Sequence, residues 1–228
     1  MHAFRVTFPE YSDYELIRRN GLWSGPGALG FEQDLKKLAQ LGRPKPEDPE
    51  TILAELYSPQ VDDFLHGMGR DVPFLVSEKA SRVLLDHGLT GFRLGPVEIV
   101  KIATKGRARW KEPSGRGEPE DLIEKPSNKI GIVPVPVLYA AHVTGSVGVV
   151  PDKDWAGQPR YVPAFSLPTA GDPMPDLWRP RISAETASGW TFCSARFKEV
   201  VERSELTNIR FIHFKEFMKG YREGQSSM

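Results

Sequence analysis

The amino-acid sequence predicts an α+β fold, with a mixed sheet built from two similar strand–helix–strand units. The main observation is a gapless internal repeat, in which residues 77–93 (SEKASRVLLDHGLTGFR) align with residues 194–210 (SARFKEVVERSELTNIR). A short apolar run precedes each copy and a β-rich run follows it. Because internal repetition reflects a repeated structural unit, these segments set the architecture that we expect. The identical aligned pairs are Ser77/Ser194, Val83/Val200, Leu89/Leu206, Thr90/Thr207 and Arg93/Arg210.

Each copy has the pattern of a capped amphipathic helix between two strands. Ser77 and Ser194 stand where a side-chain hydroxyl accepts a hydrogen bond from the first helical turn. Apolar residues then recur at i, i+3 and i+4, which places them on one helix face. Gly88 predicts a left-handed C-cap for the first helix, whereas Glu205 predicts a weaker cap in the second copy. The apolar positions are Ala80, Val83 and Leu84 in the first copy and Phe197, Val200 and Val201 in the second.

Further elements are expected outside the repeat. Residues 3–8 alternate in the way of an edge strand. A capping-box pattern at residues 12–15 and helical spacing over residues 31–41 predict two N-terminal helices. The Asp-Pro pair that starts at residue 48 predicts a third helix, which continues through residue 57. Residues 214–224 (FKEFMKGYREG) predict a short terminal helix.

Two long segments of irregular structure are expected to cross the fold. Residues 103–129 are polar, with basic residues followed by acidic ones, and predict an exposed, mobile insertion. Residues 155–189 are rich in proline and aromatic residues, and predict an irregular segment packed across the body. The whole chain, residues 1–228, is expected to form one α+β domain, with repeat units at about 72–101 and 190–217.

Charge and composition argue against several classes of protein. The chain has 30 lysines and arginines and 30 aspartates and glutamates, which argues against a dedicated nucleic-acid binder. No apolar run reaches the ~18 residues of a membrane span. The first residues lack the basic start and apolar core of a signal peptide. The single cysteine, Cys193, cannot form an intramolecular disulfide, which fits a cytoplasmic setting.

The sequence offers one candidate nucleophile. Cys193 directly precedes the predicted helix start at Ser194, where a helix dipole lowers the pKa of a thiol, and His142 or His213 would be the base. However, Cys193 also falls in a predicted buried strand, where cysteine behaves as a small apolar residue. We therefore predict no catalytic residue, and keep a small Cys- or His-dependent enzyme of unknown substrate as the alternative.

No sequence pattern favours a metal or a cofactor. Asp62, Asp63 and His66 have ligand-type side chains, but an exposed helical face is the favoured interpretation. The glycine-rich residues 25–30 lack the preceding strand and the following Lys-Ser/Thr of a phosphate-binding loop. The sequence therefore predicts neither a metal nor a cofactor.

A partner-binding surface is expected in the two long segments, because interface hot spots favour Trp, Tyr and Arg and a proline-rich backbone lowers the ordering cost of binding. The alternative, left open, is that these aromatic residues only cover the sheet. An acidic group in the insertion would complement a basic partner. The predicted partner-binding residues are Arg109, Trp110, Glu118, Glu120, Asp121, Glu124, Trp155, Tyr161, Trp178 and Arg179.

Two segments carry a resemblance to a known group of proteins. They are residues 74–99, with the turn Gly-Leu-Thr-Gly, and residues 192–214, with the run Leu-Thr-Asn-Ile-Arg-Phe. This layout resembles immunity proteins of bacterial polymorphic toxin systems and the related double-CxxCG proteins of myxobacteria. The two CxxC pairs of the double-CxxCG members read as a four-thiolate zinc site, which a chain with one cysteine cannot form.

The resemblance implies a function in protein binding. It implies a bacterial protein that binds a cognate protein toxin in the cytoplasm and occludes the toxin's active site, without catalysis. If that toxin is a nuclease with a basic site, the acidic residues of the insertion would be the complement. The sequence leaves the oligomeric state open.

Overall fold

A computed structural model describes residues 2–7, 23–24, 51–56, 61–66, 74–102, 135–152, 164–168, 174–182 and 190–226. The helices in these ranges are α1 (Glu78–Asp86), α2 (Ala195–Arg203) and α3 (Phe214–Ser226). The strands are β1 (Ala3–Thr7), β2 (Trp23–Ser24), β3 (Ile52–Leu56), β4 (Phe64–His66), β5 (Phe74–Ser77), β6 (Phe92–Ile102), β7 (Leu138–Val143), β8 (Ser146–Gly148), β9 (Val150–Pro151), β10 (Phe165–Ser166), β11 (Leu177–Arg181), β12 (Phe192–Ser194) and β13 (Arg210–His213). None of the described helices is long and apolar enough to cross a membrane.

The strands form two main sheets, and each sheet contains one copy of the repeat. The first has the order β2-β3-β6-β7-β5-β4, the second has the order β13-β1-β12-β11-β8, and β9 pairs with β10 separately. Both main sheets are mixed, because β3 runs parallel to β6 and β8 runs parallel to β11, whereas their other pairs are antiparallel. The α+β class is confirmed, with each repeat unit in a sheet of its own rather than in one shared sheet.

The predicted strand–helix–strand units are confirmed. In the first unit β5 leads into α1 and then β6, and in the second β12 leads into α2 and then β13. The serine caps form as expected. Ser77 Oγ accepts a hydrogen bond from the Ala80 amide at 3.1 Å, and Ser194 Oγ accepts one from the Phe197 amide at 3.1 Å. Each cap satisfies an amide that the first helical turn would otherwise leave without a partner.

The structural repeat is longer than the sequence repeat. An additional strand precedes each unit, because β4 pairs with β5 and β11 pairs with β12, both antiparallel and in the same register. Asp63 stands directly before β4, and Asp176 stands directly before β11. Asp63 lies 14 residues before Ser77, whereas Asp176 lies 18 residues before Ser194. This difference in connection length keeps the two aspartates out of the gapless alignment.

The two halves exchange their first strands. β1 begins the first half, but it lies between β12 and β13 of the second half. β7 begins the second half, but it lies between β5 and β6 of the first half. The prediction of an edge strand at residues 3–8 is therefore wrong for β1, which is an internal strand. The matching register pairs are Phe4–Cys193 with Tyr139–Val76, and Phe4–His213 with Tyr139–Pro96.

One apolar core joins the halves. Helices α1 and α2 contact each other and pack on the inner faces of the two sheets. The core residues come in equivalent pairs, so each half buries its apolar surface against the other. Separate clusters cover the outer faces, around Leu65 and Leu75 in the first sheet and around Trp178 and Phe192 in the second. The equivalent core pairs are Val6/Ala141, Phe64/Leu177, Val76/Cys193, Leu84/Val201 and Leu89/Leu206.

The turn after each repeat helix uses left-handed backbone at two equivalent positions. Gly88 has φ 57° and Glu205 has φ 51°, which confirms the C-cap predicted at Gly88. Gly91 has φ 87°, and a Cβ there would lie 2.0 Å from the carbonyl oxygen of Leu177 in the other half. Its counterpart Asn208 has φ 62° and donates a side-chain hydrogen bond at 2.7 Å to the carbonyl oxygen of Phe64. Both turns therefore approach the opposite half closely.

Two further predictions are corrected, and others fall outside the described residues. The helix predicted from residue 48 through 57 is wrong over Ile52–Leu56, which is strand β3. Its Ala54 is fully buried in the outer cluster of the first sheet. The segment predicted to be irregular contains strand β11, an internal strand despite Pro180. The terminal helix is confirmed as α3. The N-terminal helices and the insertion at 103–129 lie outside the described residues.

Gly91→Ala should lower the free energy of unfolding by ~2 kcal/mol or more, because the new Cβ meets a backbone oxygen at a left-handed position. Gly220→Ala is the matched control, since nothing lies within 4 Å of its Cβ position on α3. We expect this control to raise the free energy of unfolding by ~0.5–1 kcal/mol through helix propensity. Urea denaturation measures both changes, and equal effects would contradict the close contact between the halves.

Candidate partner-binding site

Asp63 ties its own half to the other half. Its Oδ1 accepts a hydrogen bond from Ser77 Oγ at 2.7 Å, and its Oδ2 lies 3.3 Å from Lys79 Nζ. The same Oδ2 accepts from the Thr207 amide at 3.1 Å, while the Asp63 amide donates to Thr207 Oγ1 at 3.0 Å. Ser77 and Lys79 begin α1 of the same half, but Thr207 belongs to the turn after α2.

Asp176 makes the same contacts with the halves reversed. Its Oδ1 accepts from Ser194 Oγ at 2.7 Å, and its Oδ2 lies 3.1 Å from Arg196 Nη1. Oδ2 also accepts from the Thr90 amide at 3.0 Å, and the Asp176 amide donates to Thr90 Oγ1 at 3.2 Å. Thr90 belongs to the turn of the first half. The identical residues of the sequence repeat therefore hold two buried carboxylates in crossed, equivalent sites.

These contacts give the candidate metal ligands a structural role. Asp63 is buried, and its carboxylate is occupied by the hydrogen bonds from Ser77 and Thr207. Asp62 accepts a hydrogen bond from Thr207 Oγ1 at 2.9 Å. The interpretation of residues 62–66 as an exposed helical face is therefore wrong, because Asp63 leads into buried strand β4. Within the described ranges, no three His, Cys, Asp or Glu side chains are placed to hold a metal ion. The side chain of His66 lies outside the description.

Asp176→Asn should lower the free energy of unfolding by ~1–3 kcal/mol, because an amide nitrogen would then face donors that need an acceptor. Asp152→Asn is the control, since Asp152 pairs with Arg222 at 2.7 Å near the surface. An exposed pair of this kind contributes less than ~1 kcal/mol. Chemical denaturation of both variants tests the difference. A loss at Asp176 no larger than that at Asp152 would contradict the structural role of the crossed site.

Cys193 is sealed in the shared core. Its side chain is fully buried, and burial raises the pKa of the thiol well above its ordinary value. The raised pKa keeps the thiol protonated at neutral pH, which disfavours a nucleophile. His213 is not its base, because Phe4 lies between them on β1 and two strand spacings amount to ~10 Å. His142 lies in the other sheet.

Cys193 should react with a thiol reagent only when the protein unfolds. It is the single cysteine of the chain, so labelling by a chromogenic disulfide reports this site alone. Because the pKa is raised in the folded state, folding favours the protonated thiol, and stability should fall as pH rises above the ordinary value of 9.0. Cys193→Ala should lose this part of the pH dependence. Rapid labelling of the native protein at pH 8 would contradict the burial.

Two of the predicted partner-binding residues lie in the core. Trp178 is fully buried on β11 and stacks on Phe192 with ring centroids 4.9 Å apart. Arg179 is also buried. For Trp178 this burial agrees with the alternative, in which the aromatic residues cover the sheet. The burial of both side chains corrects their assignment to a partner-binding surface. The other predicted residues lie outside the described ranges: Arg109, Trp110, Glu118, Glu120, Asp121, Glu124, Trp155 and Tyr161.

An open groove follows strand β13 at the side of the second sheet. Its volume is about 540 Å³, and its lining is mainly apolar with one acidic and one basic side chain. We call it the β13 groove; it is lined by Thr7, Val201, Glu202, Leu206, Ile209, Arg210, Phe211 and Ile212. Strand β13 ends the second sheet, because β1 is the one described strand that pairs with it. Backbone groups of an end strand are available to an added strand.

The β13 groove differs from the equivalent place in the first half. Ile212 is 38% exposed, whereas its counterpart Gly95 is buried. A Cβ at Gly95 would lie 2.7 Å from Nε2 of His142. His142 is in turn the counterpart of Thr7, which lines the groove. In the first half the ring of His142 therefore covers Gly95. In the second half the smaller Thr7 and the exposed Ile212 leave the groove open.

The sequence did not single out the groove residues as a site. The repeat aligns Arg210 with Arg93 and Ile209 with Phe92, and both aligned pairs were interpreted as structural residues. No family model matches the chain, no curated protein matches it, and no solved structure matches it.

Proposed function

We propose that this protein neutralises a cognate bacterial toxin by stoichiometric binding, as immunity proteins do, in the cytoplasm of a bacterium. The observation that carries the proposal is the β13 groove, an open groove beside the end strand of a sheet, in which Ile209 and Phe211 are partly exposed and Ile212 is exposed. Apolar grooves and sheet ends are recurring places where a protein receives a segment of another protein. The proposed action is occlusion of the toxin without catalysis.

The groove is a better candidate than Asp63, Asp176 or Cys193, because these three side chains serve the fold. The carboxylates of Asp63 and Asp176 accept several hydrogen bonds each from the caps and turns of the repeat. The thiol of Cys193 is buried and protonated. These arrangements favour a binding protein over the alternative of a Cys- or His-dependent enzyme, which needs a reactive group open to its substrate.

The acidic residues of the insertion are a second proposed contact. Glu118, Glu120, Asp121 and Glu124 follow a basic stretch in the sequence. If the toxin is a nuclease with a basic active site, such a group would speed association and strengthen binding at low salt. Reversal of these charges should then lower the association rate and weaken its salt dependence. An unchanged affinity and salt dependence would remove this contact from the proposal.

Co-purification of the tagged protein from its native cells tests the proposed function. We expect one partner in stoichiometric amount, and we expect that partner to be toxic when it is expressed alone. Mass spectrometry identifies the partner, and co-expression with this protein should restore growth. Recovery of the protein without any partner, or with a partner that is harmless alone, would contradict the proposal.

Ile212→Asp should weaken binding of the captured partner by at least about tenfold, because a carboxylate would enter a mainly apolar groove. Val150→Asp is the matched control, since Val150 is 63% exposed on β9 and does not line the groove. Both variants should keep the wild-type melting temperature within a few degrees. Calorimetry measures the affinities, and equal losses in the two variants would place the contact elsewhere.

A further inference from the structure

Arg5 carries a positive charge on the outer face of the second sheet. Its guanidinium carbon lies 6.0, 5.8 and 5.6 Å from the ring centroids of Trp190, Phe192 and Phe217. We call these four residues the Arg5 cluster. Nη1 of Arg5 donates a hydrogen bond of 3.1 Å to the carbonyl oxygen of Thr191. The rings attract the cation through their negatively charged faces.

The charge of Arg5 has no carboxylate partner among the described residues. By contrast, Arg196 makes an ion pair with Asp176 at 3.1 Å, and Arg222 makes one with Asp152 at 2.7 Å. Burial lowers the pKa of Arg5 to about 10, so the guanidinium stays charged at neutral pH. A guanidinium has five N–H donors, and the described contacts use only one of those of Arg5.

The unused donors are not sealed inside the protein. The buried side-chain atoms that lack a hydrogen-bond partner include none of the nitrogens of Arg5. Arg5, Trp190, Phe217 and the adjacent Tyr221 are all only partly buried. The ring of Tyr221 lies 4.7 Å from that of Trp190 and 6.2 Å from that of Phe217, between centroids. The guanidinium is therefore partly exposed and is bordered by aromatic rings.

The fold does not require a charge at this position. In the first half, strand β7 occupies the place that β1 occupies in the second, and Ala140 is the counterpart of Arg5. Ala140 is fully buried in an apolar cluster. The same architecture thus accepts a small apolar side chain where the second half has a cation. A function other than folding is the better explanation for a residue that carries a desolvation cost.

We propose that the Arg5 cluster receives a carboxylate from an acidic side chain of the protein partner. A guanidinium binds a carboxylate with two parallel hydrogen bonds, and its planar fork gives these bonds a defined direction. The aromatic rim excludes water and contacts the apolar stem of the acidic residue. Arg, Trp and Tyr are also the residue types enriched at interface hot spots. The identity of the partner rests on the proposed function, whereas binding of a carboxylate does not.

Titration of the full-length protein with sodium acetate tests whether the Arg5 cluster binds a carboxylate, and it needs no protein partner. The side-chain Nε–H signal of Arg5 in a nitrogen-15 correlation spectrum should shift in a saturable way, together with the indole signal of Trp190. Sodium chloride at equal ionic strength should not produce this shift. The Nε–H of Arg222, already bonded to Asp152 at 2.7 Å, is the internal control and should stay in place. Equal responses to acetate and chloride, or no saturable shift, would overturn the proposal.

Binding of the captured partner provides the second arm. Arg5→Met keeps the apolar stem of the side chain and should weaken binding of the partner by at least about tenfold. Arg5→Lys should give an intermediate loss of affinity, because it keeps the positive charge but not the planar guanidinium. Arg222→Met is the control for loss of one positive charge. A partner affinity unchanged in Arg5→Met would overturn the proposal. Failure to capture any partner would count against the proposed function. The acetate titration would still show whether the Arg5 cluster binds a carboxylate.

Discussion

The buried carboxylates of Asp63 and Asp176 fix how the two halves of this protein meet. Each accepts hydrogen bonds from the helix cap of its own half and from the threonine turn of the other half. A buried carboxylate without such partners is costly, so the crossed turns must stay within hydrogen-bonding distance. The shared core between α1 and α2 and the close approach of Gly91 to Leu177 hold the same parts of the two halves together.

Within this arrangement the two halves agree in the core and differ at the surface. Val6 and Ala141, or Val76 and Cys193, fill equivalent places in one cluster. Two surface differences lie on β1 and β13, where the second sheet has a groove beside Ile212 and a cation at Arg5. Repeated structure accounts for the residues that agree. The two surface features on which the proposals rest, the β13 groove and the Arg5 cluster, both lie on the second sheet.

The sequence predicted what depends on local chemistry. Serine caps, the amphipathic spacing of α1 and α2, and the left-handed turn at Gly88 are all visible in neighbouring residues. Contacts between distant segments were missed. Nothing near residues 3–8 reveals that β1 pairs with strands almost two hundred residues away. The gapless alignment did not pair Asp63 with Asp176, because the segments that connect them to Ser77 and Ser194 differ in length. Strand β3 was predicted as part of a helix because Asp48 and Pro49 have the pattern of a helix start, whereas pairing with β6, a distant segment, makes it a strand.

Native-state hydrogen exchange measured against denaturant concentration tests the interlocked core most directly. The amides of Val76 and Cys193 occupy equivalent places in the central pairing of the two sheets. If the crossed carboxylates and the exchanged strands join the halves, both amides should open only with global unfolding and with the same free energy. An amide of one half that opens at a free energy several kcal/mol below that of the other would show that the halves unfold separately, and would contradict this account.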